Sequence, residues 1–278
     1  MSKIKAFAPA NISCVFKICP DKNPRWAGSL GFGFTLREGV IAEVSKSKTS
    51  EIFFNGKKIN FPTVRQIIEL LTKEKITVNL FSPLPLGAGF GLSGASALAA
   101  AYAIKKLLGL KKSNKQLAII SHIAEVENQT GLGDVTNQYF GGFLIKFKPS
   151  SHFEVIKIPF ENKSIFYSYL TKLPTKSVLS NNTLLPKINS SADIELAKLQ
   201  NLFNSGSKIN FEDILRISKE FAVNSGLLRD KKAIETIKMI EEKGGAASMI
   251  MLGNAVFSNI DFKGAKKLTF SDQGAHVL

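Results

Sequence analysis

The apolar residues of this chain recur with two different periods, and the two periods predict strands and helices in turn. Short alternating or continuous apolar stretches are typical of strands, and apolar positions at helical spacing are typical of amphipathic helices. The sequence predicts strands at 4–16, 30–36, 40–44, 76–81, 246–252 and 255–260, and a further strand that 139–147 enters through a turn at 141–142. It predicts helices at 64–72, 93–108, 113–128, 191–204, 211–224 and 230–243.

Two polar segments predict turns between neighbouring strands. Asn55-Gly56 stands among the β-prone residues of 52–59, and Asn-Gly is the pair that a tight hairpin turn favours. Arg37-Glu38-Gly39 separates 30–36 from 40–44, so we expect a second strand pair around it.

The character of the sequence changes near residues 155–165, where strand-rich segments give way to helical ones. We therefore expect an α+β protein in which a mixed sheet with helices is followed by a smaller helix-and-strand domain. The boundary is predicted between domains 1–160 and 161–278, and the chain is long enough for each domain to have its own core.

The net charge of +15 comes mainly from scattered lysines and not from a basic stripe. Pairs such as Lys105-Lys106, Lys111-Lys112 and Lys231-Lys232 stand at predicted helix ends or on solvent faces. Nucleic-acid binding favours clustered basic residues with interleaved aromatic ones. The pattern predicts no nucleic-acid partner and a surface that attracts anionic metabolites.

The sequence indicates neither a disulfide framework nor a membrane span. Cys14 and Cys19 match no common zinc spacing and are expected to be reduced, as in a cytoplasmic protein. Residues 84–104 are nearly free of charge, but Pro85 and four glycines would break a lipid-exposed helix. The N-terminus lacks the apolar core of a signal peptide, so we expect a cytoplasmic protein without a membrane partner.

Glycines at 87, 89, 91 and 94 make residues 85–97 the strongest functional signal in the chain. Glycines let the backbone turn tightly and bring its N–H groups close to a ligand. The segment leads into the predicted helix 93–108, whose N-terminus offers unpaired amides and a partial positive charge. A phosphate is the natural ligand of such a loop, so the sequence predicts a nucleotide site.

Two common phosphate-binding patterns fit this segment poorly. Residues 89–94 satisfy the dinucleotide pattern G-x-G-x-x-G, but Pro83 and Pro85 separate strand from loop, and no acidic residue follows at the end of a second strand. A Walker loop needs Gly-Lys-Ser/Thr at the helix start, and no lysine follows these glycines until Lys105.

The segment resembles the second motif of the GHMP kinase superfamily, Pro-x-Gly-Ala-Gly-Leu-Gly-Ser-Ser-Ala, with Phe90 for leucine and Gly94 for alanine. The resemblance implies a two-domain α+β fold, with a ribosomal protein S5 domain 2-like N-terminal domain that binds ATP and a ferredoxin-like C-terminal domain. It also implies a small-molecule kinase that uses ATP and Mg²⁺. The implied ATP-binding residues are Pro85, Gly87, Ala88, Gly89, Phe90, Gly91, Leu92, Ser93, Gly94 and Ala95.

The same resemblance implies roles for two carboxylates after the loop. Asp134 stands seven residues before Gly141-Gly142, where mevalonate-kinase-like members have their catalytic base. Those members place a magnesium-binding Glu at the end of the preceding helix, which implies Glu125 as a metal ligand together with Ser93. Glu127 stays an alternative, because residues two apart on a helix point to different faces and only one can reach the metal.

Two further segments resemble family motifs with changes. Ala8-Pro9-Ala10-Asn11 is similar to the first motif, but Asn11 replaces the lysine of mevalonate kinase, so a first-strand lysine beside the base is not expected. Residues 244–253 are similar to the third motif, with fewer glycines.

Within the superfamily, residues 28–33, 87–95, 124–135 and 247–253 resemble the archaeal pantoate kinase family. This resemblance implies ATP-dependent phosphorylation of (R)-pantoate to (R)-4-phosphopantoate in archaeal coenzyme A biosynthesis. Arg25, the amides of 29–33 and His122 are the candidates for binding the substrate carboxylate. A kinase of another small alcohol, such as mevalonate or homoserine, and a non-catalytic binding protein of this fold are the alternatives, and a homodimer is left open.

Overall fold

Two β-sheets and the helices packed on them form the described part of the chain. The structure is a computed structural model, and it describes residues 2–159, 164–171, 178, 183–206 and 209–278. The predicted domain boundary at residues 160 and 161 lies outside the described residues.

The elements are numbered along the chain. The strands are β1 (Ile4–Cys19), β2 (Gly28–Lys46), β3 (Glu51–Phe54), β4 (Lys57–Lys58), β5 (Ile76–Phe81), β6 (Phe143–Lys146), β7 (Ile156–Ile158), β8 (Ser164–Thr171), β9 (Ala247–Met249), β10 (Asn254–Ser258), β11 (Lys266–Thr269) and β12 (His276–Val277). The helices are α1 (Pro62–Leu71), α2 (Leu92–Leu108), α3 (Asn114–Glu127), α4 (Asp134–Phe140), α5 (Leu184–Asn204), α6 (Phe211–Asn224) and α7 (Lys231–Glu242).

The first sheet is mixed, and two long strands form its centre. Its main order is β12-β1-β2-β5-β3-β4, and β6 and then β7 are added beside β2. Residues 41–46 of β2 pair with β5, whereas residues 31–34 of the same strand pair with β6. β3 and β5 run parallel, and α1 makes the crossover between them. Because β2 reaches both halves of the sheet, it brings the elements before and after α2 together.

The second sheet is antiparallel, with the order β11-β8-β10-β9. α6 and α7 pack against β9, and α5 packs against both α6 and β1, so the cores of the two sheets are continuous. The last strand, β12, returns to the first sheet and pairs with β1. The predicted α+β class, with a mixed sheet followed by a helix-and-strand unit, is confirmed.

One expectation about the first sheet is wrong. The sequence predicts a turn at Arg37-Glu38-Gly39, but β2 runs through these residues as one strand. Gly39 lies opposite Pro9, and a Cβ at residue 39 would collide with the Ala8 carbonyl oxygen. The glycine therefore serves the close approach of two backbones, and β1 and β2 form one long ribbon.

The predictions that rest on local chemistry are confirmed. Asn55 and Gly56 have φ of 48° and 78° and join β3 to β4 as a tight hairpin. Ser113 caps α3 by accepting a hydrogen bond from the Gln116 amide at 3.1 Å, in a complete capping box. The range predicted as 211–224 is α6 itself.

Several short elements escape the sequence pattern. The sequence does not predict α4, which begins at Asp134, or the strands β7, β8, β11 and β12. Most of these elements are too short for their period to be visible, whereas β8 has eight residues rich in β-prone side chains and carries a strand signal that the predicted elements do not include. The predicted helix 191–204 begins earlier, at Leu184. Within the described ranges, no helix combines the length and the apolar composition needed to cross a bilayer.

Candidate active site

The glycine loop lies between β5 and α2 and turns in the left-handed region at three glycines. Gly87, Gly89 and Gly91 have φ of 79°, 86° and 61°, values that favour residues without a Cβ. Gly91 immediately precedes α2. The helix itself is held firmly, because its alanines are buried against β1, β2, α1 and α3. A fixed helix N-terminus, with its unpaired amides, therefore faces the space above the loop.

A cleft of about 420 Å³ opens over this loop. The predicted ATP-binding residues that line it are Gly87, Gly89, Phe90, Gly91, Leu92 and Ser93. The others belong to the same segment but do not line the cleft; they are Pro85, Ala88, Gly94 and Ala95. The remaining wall comes from Ser13, residues 59–61, Leu86, residues 128–130, Asp134 and residues 251–252. A cleft of this volume over a helix N-terminus can hold a nucleotide.

Residues 250–253 pack directly on the glycine loop. A Cβ at Gly89 would lie 2.7 Å from a carbonyl oxygen of this segment. Leu252 lines the cleft with φ of 59°, a strained value for a leucine. The predicted strand 246–252 ends early, at Met249, because the chain turns here onto the loop. The segment that resembles the third family motif thus forms part of the cleft.

Gly94 departs from the family motif, and its surroundings explain why. It lies in the first turn of α2, where a Cβ would be 2.8 Å from Glu125 Oε2 and 2.8 Å from Gln138 Oε1. The absent methyl group lets a carboxylate and an amide approach the helix backbone. Glycine at position 94, in place of the alanine of the motif, therefore makes room for Glu125 beside α2.

Asp134 is the first residue of α4 and lines the cleft. Its Oδ1 accepts hydrogen bonds from Asn11 Nδ2 at 2.6 Å and from Ser13 Oγ at 3.5 Å. Burial raises the pKa of this carboxyl group, while the Asn11 hydrogen bond and the charge of Lys146 act in the opposite direction. A carboxylate with a raised pKa at the wall of a cleft is suited to accept a proton.

Asn11, which stands where mevalonate kinase carries a lysine, is fully buried, and its side chain has three hydrogen-bond partners, Ser13, Asp134 and Asn137. Asn137 Nδ2 donates to Asn11 Oδ1 at 2.8 Å, so the amide nitrogen of Asn11 is directed to Asp134. The β1–β2 register shifts on both sides of Asn11 and Ser13, as expected for bulges that re-aim side chains. The first strand therefore orients the carboxylate with an amide and a hydroxyl.

A buried lysine that the sequence analysis missed lies beside Asp134. Lys146 ends β6 and is only 4% exposed, and its Nζ donates to the Gly133 carbonyl at 3.1 Å. Burial lowers the pKa of the ammonium group to about 8, and the charge of Asp134 acts in the opposite direction. Nothing in the sequence separates this lysine from the many exposed ones; the pairing of β6 with β2 places it inside.

Glu125 lies in α3 and is 1% exposed. Its Oε1 accepts a hydrogen bond from Thr130 Oγ1 at 2.9 Å, whereas its Oε2 has no hydrogen-bond partner among the described residues. Burial and the charge of Asp134 raise the pKa of this carboxyl group to about 8, against the effect of the Thr130 hydroxyl. An orphaned carboxylate oxygen beside a second carboxylate fits the binding of a cation.

The alternative carboxylate, Glu127, lies on the other side of α3. It is exposed and accepts a hydrogen bond from the side chain of Gln66. Of the two glutamates, Glu125 is the one placed with Ser93 and Asp134.

Two threonines connect Ser93 to Glu125. Ser93 Oγ donates to Thr63 Oγ1 at 3.3 Å, and Thr63 Oγ1 lies 3.1 Å from Thr130 Oγ1, which in turn contacts the carboxylate. Thr63 belongs to α1 and is fully buried. The sequence does not single out either threonine, because neither belongs to a motif or stands at a recognisable spacing.

The sequence candidates for a substrate carboxylate are engaged with the protein itself. The backbone amides of 29–33 lie inside the first sheet. This segment of β2 pairs with β1 along its length and with β6 at residues 31–33. His122 is buried with Nε2 2.8 Å from the Ala27 carbonyl oxygen, and burial lowers the pKa of its imidazole to about 4. Arg25 Nη1 donates to the Ser151 carbonyl at 3.0 Å. Because the imidazole of His122 is neutral and the amides of 29–33 are paired, Arg25 and Lys146 are the positively charged candidates for binding a carboxylate.

Within the described residues, no group of three or more His, Cys, Asp and Glu side chains is arranged to hold a metal ion. The cleft region offers oxygen donors instead, from Glu125, Asp134 and Ser93. Mg²⁺ is commonly bound by a few carboxylates together with the phosphate oxygens of a substrate. The donors present therefore fit an ion that is bound jointly by protein and nucleotide.

Comparison with known proteins places this arrangement among kinases. Residues 62–142 match the family model of the GHMP kinases N terminal domain. The chain is 36% identical over 258 residues to the pantoate kinase of Methanocaldococcus jannaschii, with 90% of each chain covered. It is 32% identical over 201 residues to the mevalonate kinase of Thermococcus gammatolerans, which covers 64% of this chain and 57% of that one.

A solved structure described as a phosphotransferase related to the CoA biosynthesis pathway has a similar fold. It superposes with a TM-score of 0.85 at 24% identity and covers 99% of this chain and 98% of that one. The likeness extends over both sheets. The family match at 62–142 contains the glycine loop, Glu125 and Asp134.

Proposed function

Because this chain belongs to the GHMP kinases, we propose that it transfers the γ-phosphoryl group of ATP to the primary hydroxyl of (R)-pantoate. The product is (R)-4-phosphopantoate, and the step would serve coenzyme A biosynthesis as in the archaeal relatives. The support for pantoate as the acceptor is the similarity to a pantoate kinase over 90% of each chain, which is broader than the similarity to the mevalonate kinase.

The observation that carries the proposal is a carboxylate placed against the phosphate loop in one cleft. Gly91 and Asp134 both line the cleft, and a Cβ at residue 91 would lie 3.0 Å from Asp134 Cγ. A hydroxyl bound at Asp134 would therefore be next to a phosphoryl group bound at the N-terminus of α2. Phosphoryl transfer depends on such positioning and on charge stabilisation more than on covalent chemistry.

In the proposed reaction the amides of 87–93 bind the triphosphate, and Asp134 takes the proton of the attacking hydroxyl. The new bond joins the hydroxyl oxygen to the γ-phosphorus while the bond to the bridging oxygen breaks, and ADP leaves. Asn11 and Ser13 hold the carboxylate of Asp134 in position. The donors are fixed before the reaction, so little reorganisation is needed as charge develops.

Mg²⁺ is the expected companion of ATP, and Ser93 and Glu125 are the residues that would hold it. The support is the orphaned Oε2 of Glu125, which a cation would satisfy. When bound, the ion neutralises charge on the phosphates of the nucleotide.

Lys146 and Ser29 are the donors that we propose for the carboxylate of the substrate, although both are buried and neither lines the cleft. A Cβ at Gly133 would collide with Ser29 Oγ and lie 2.9 Å from Lys146 Nζ, so both donors meet at the residue before Asp134. Within the described residues the ammonium makes a single hydrogen bond, and the Ser29 hydroxyl makes none. Unused donors of this kind can bind a carboxylate while the hydroxyl end of the same molecule faces the base.

Lys146→Met is expected to raise KM for pantoate about 10- to 100-fold, because a charge-assisted hydrogen bond to the substrate is lost. KM for ATP should change less than about twofold, since the loop does not contact Lys146. Initial rates with each substrate varied in turn measure the split. Lys148→Met, at an exposed lysine paired with Glu154, is the matched control and should behave as wild type. An equal rise of both KM values would contradict the assignment.

The substrate is tested by ATP consumption with pantoate, pantothenate, mevalonate and homoserine as acceptors, with the phosphorylated product identified by mass. Turnover confined to pantoate is expected. Turnover on mevalonate or homoserine instead would retain the kinase and reject the acceptor. Bound ATP without turnover on any of the four would favour the non-catalytic binding protein.

The absence of a nucleic-acid or membrane partner and a cytoplasmic location stay predictions from the sequence, and a homodimer stays open. Retention on an immobilised polyanion that falls steeply with salt would contradict the first of these.

A further inference from the structure

The row formed by Ser93, Thr63, Thr130 and Glu125 brings together three separate helices. Ser93 lies in α2, Thr63 in the first turn of α1, and Glu125 in α3, with Thr130 three residues after the end of α3. The hydroxyl contacts are 3.3 Å and 3.1 Å, and the last contact, to Glu125 Oε1, is 2.9 Å. The row ends on the two residues expected to hold Mg²⁺.

The carboxylate determines which way the protons of this row point. In the ionised form that binds a cation, the carboxylate of Glu125 can only accept, so Thr130 donates its single proton to it. Thr130 Oγ1 then accepts the proton of Thr63, and Thr63 Oγ1 accepts the proton of Ser93. The Ser93 proton is directed into the protein, and the lone pairs of its oxygen remain for a ligand in the cleft. Each bond of such a row polarises the next one.

The other oxygen of Glu125 completes the arrangement. Thr130 occupies Oε1, while Oε2 is buried, has no hydrogen-bond partner in the part of the chain that the structure describes, and lies at Gly94 and Gly131. The row thus fixes the rotamer of the carboxylate and leaves one oxygen unused.

We infer that Thr63 and Thr130 are positioning residues that turn the Ser93 oxygen and Glu125 Oε2 into two ready acceptors for one divalent cation. Without the row, the Ser93 hydroxyl could donate its proton to a phosphate and would not present its lone pairs. The inference rests on the proposed function, because it concerns the ion that accompanies ATP. Groups that orient metal ligands in this way commonly change metal affinity by about 10- to 100-fold when removed.

Thr63→Val is the test, because valine keeps the shape of threonine and removes the hydroxyl. Mn²⁺ binding is measured by electron paramagnetic resonance in the presence of ADP and without any acceptor substrate. We expect Mn²⁺ affinity to fall about 10-fold or more, while affinity for ADP measured in EDTA changes less than about twofold. Thr63→Ser should restore the affinity, and Thr130→Val should weaken it as Thr63→Val does.

Thr35→Val is the matched control. Thr35 is also fully buried with two hydrogen bonds, to the Ser271 carbonyl and from the Gly142 amide, both at 2.7 Å, but it does not line the cleft. Its folded variant should keep the wild-type Mn²⁺ affinity. Unchanged Mn²⁺ affinity in both Thr63→Val and Thr130→Val would overturn the inference, as would an equal loss of metal-free ADP binding. Since no acceptor is present, a failed pantoate assay leaves this result standing.

Discussion

Replacing Asp134 with asparagine is expected to lower kcat about 10²- to 10⁴-fold while the nucleotide still binds. The amide has the shape of the carboxylate, and its oxygen can still accept the hydrogen bond of Asn11, so the geometry of the cleft is retained. It cannot take the proton of the attacking hydroxyl. Turnover at saturating ATP and pantoate measures the loss, and calorimetric titration with ADP measures the retained binding.

Asp213→Asn is the matched control for this variant. Asp213 also lies in the first turn of a helix, α6, where it takes part in the capping box with Asn210. Its amide variant should keep kcat within about twofold, since exposed caps affect stability and not the cleft. Turnover of Asp134→Asn within tenfold of wild type would show that another group accepts the proton. Loss of ADP binding together with turnover would indicate a damaged cleft.

Glu125→Gln is expected to have opposite effects on activity and on stability. Loss of a charged metal ligand removes several kcal/mol of charge stabilisation at the phosphates, so kcat/KM for ATP should fall about 10²- to 10³-fold. The apparent Mg²⁺ requirement should rise as well. Glu127→Gln, on the exposed side of the same helix, is the matched control and should retain wild-type values.

The stability effect follows from the raised pKa of Glu125. Between pH 4.5, the ordinary pKa of a glutamate side chain, and the raised pKa of about 8, the folded chain holds this proton more tightly than the unfolded chain does. Unfolding releases the proton, so the free energy of unfolding falls as pH rises through this window. His122, with a pKa lowered from 6.5 to about 4, adds its own slope only below about pH 6.5.

Denaturant unfolding in EDTA between pH 6.5 and 8 measures this difference. Wild type should lose up to about 2 kcal/mol relative to Glu125→Gln over the interval, because glutamine does not titrate. Parallel curves for the two proteins would mean that Glu125 is ionised in the metal-free cleft. Added Mg²⁺ and ADP should favour wild type, since ligand binding stabilises only the chain that keeps its ligands.

The sequence predictions are accurate where an element depends on interactions between residues close in sequence, and they fail where it depends on contacts between distant residues. The Asn55-Gly56 hairpin and the Ser113 cap depend on neighbours a few residues away, and both are confirmed. The turn expected at Arg37-Glu38-Gly39 is wrong. Gly39 is needed because the backbone of β1 passes close to it, and residues 37–39 alone do not show which strand lies beside them. The presence of a glycine in a sequence does not by itself show whether the backbone turns there or lies close to the backbone of another strand.

Some residues of the candidate site can likewise be recognised in the sequence, whereas the role of others depends on tertiary packing. The loop glycines and Ser93 are visible in sequence because a phosphate-binding turn needs left-handed residues directly before a helix. Gly94 and Asn11 are visible only as departures from a motif. Only the packed structure explains them. A side chain at residue 94 would crowd Glu125, and Asn11 donates a hydrogen bond to Asp134.

By itself the sequence determined the α+β class, and it predicted the glycine loop and the carboxylates after it as the candidate site. These depend on local periodicity, on glycine φ angles and on the order of residues in one continuous segment. Tertiary structure alone decided that Lys146 is buried beside Asp134 and that Thr63 links Ser93 to Glu125. The reason is that β6 pairs with β2 and α1 packs against α2 and α3 across distant parts of the chain. Which polar groups then meet in a low-dielectric interior depends on that packing and not on their neighbours in sequence.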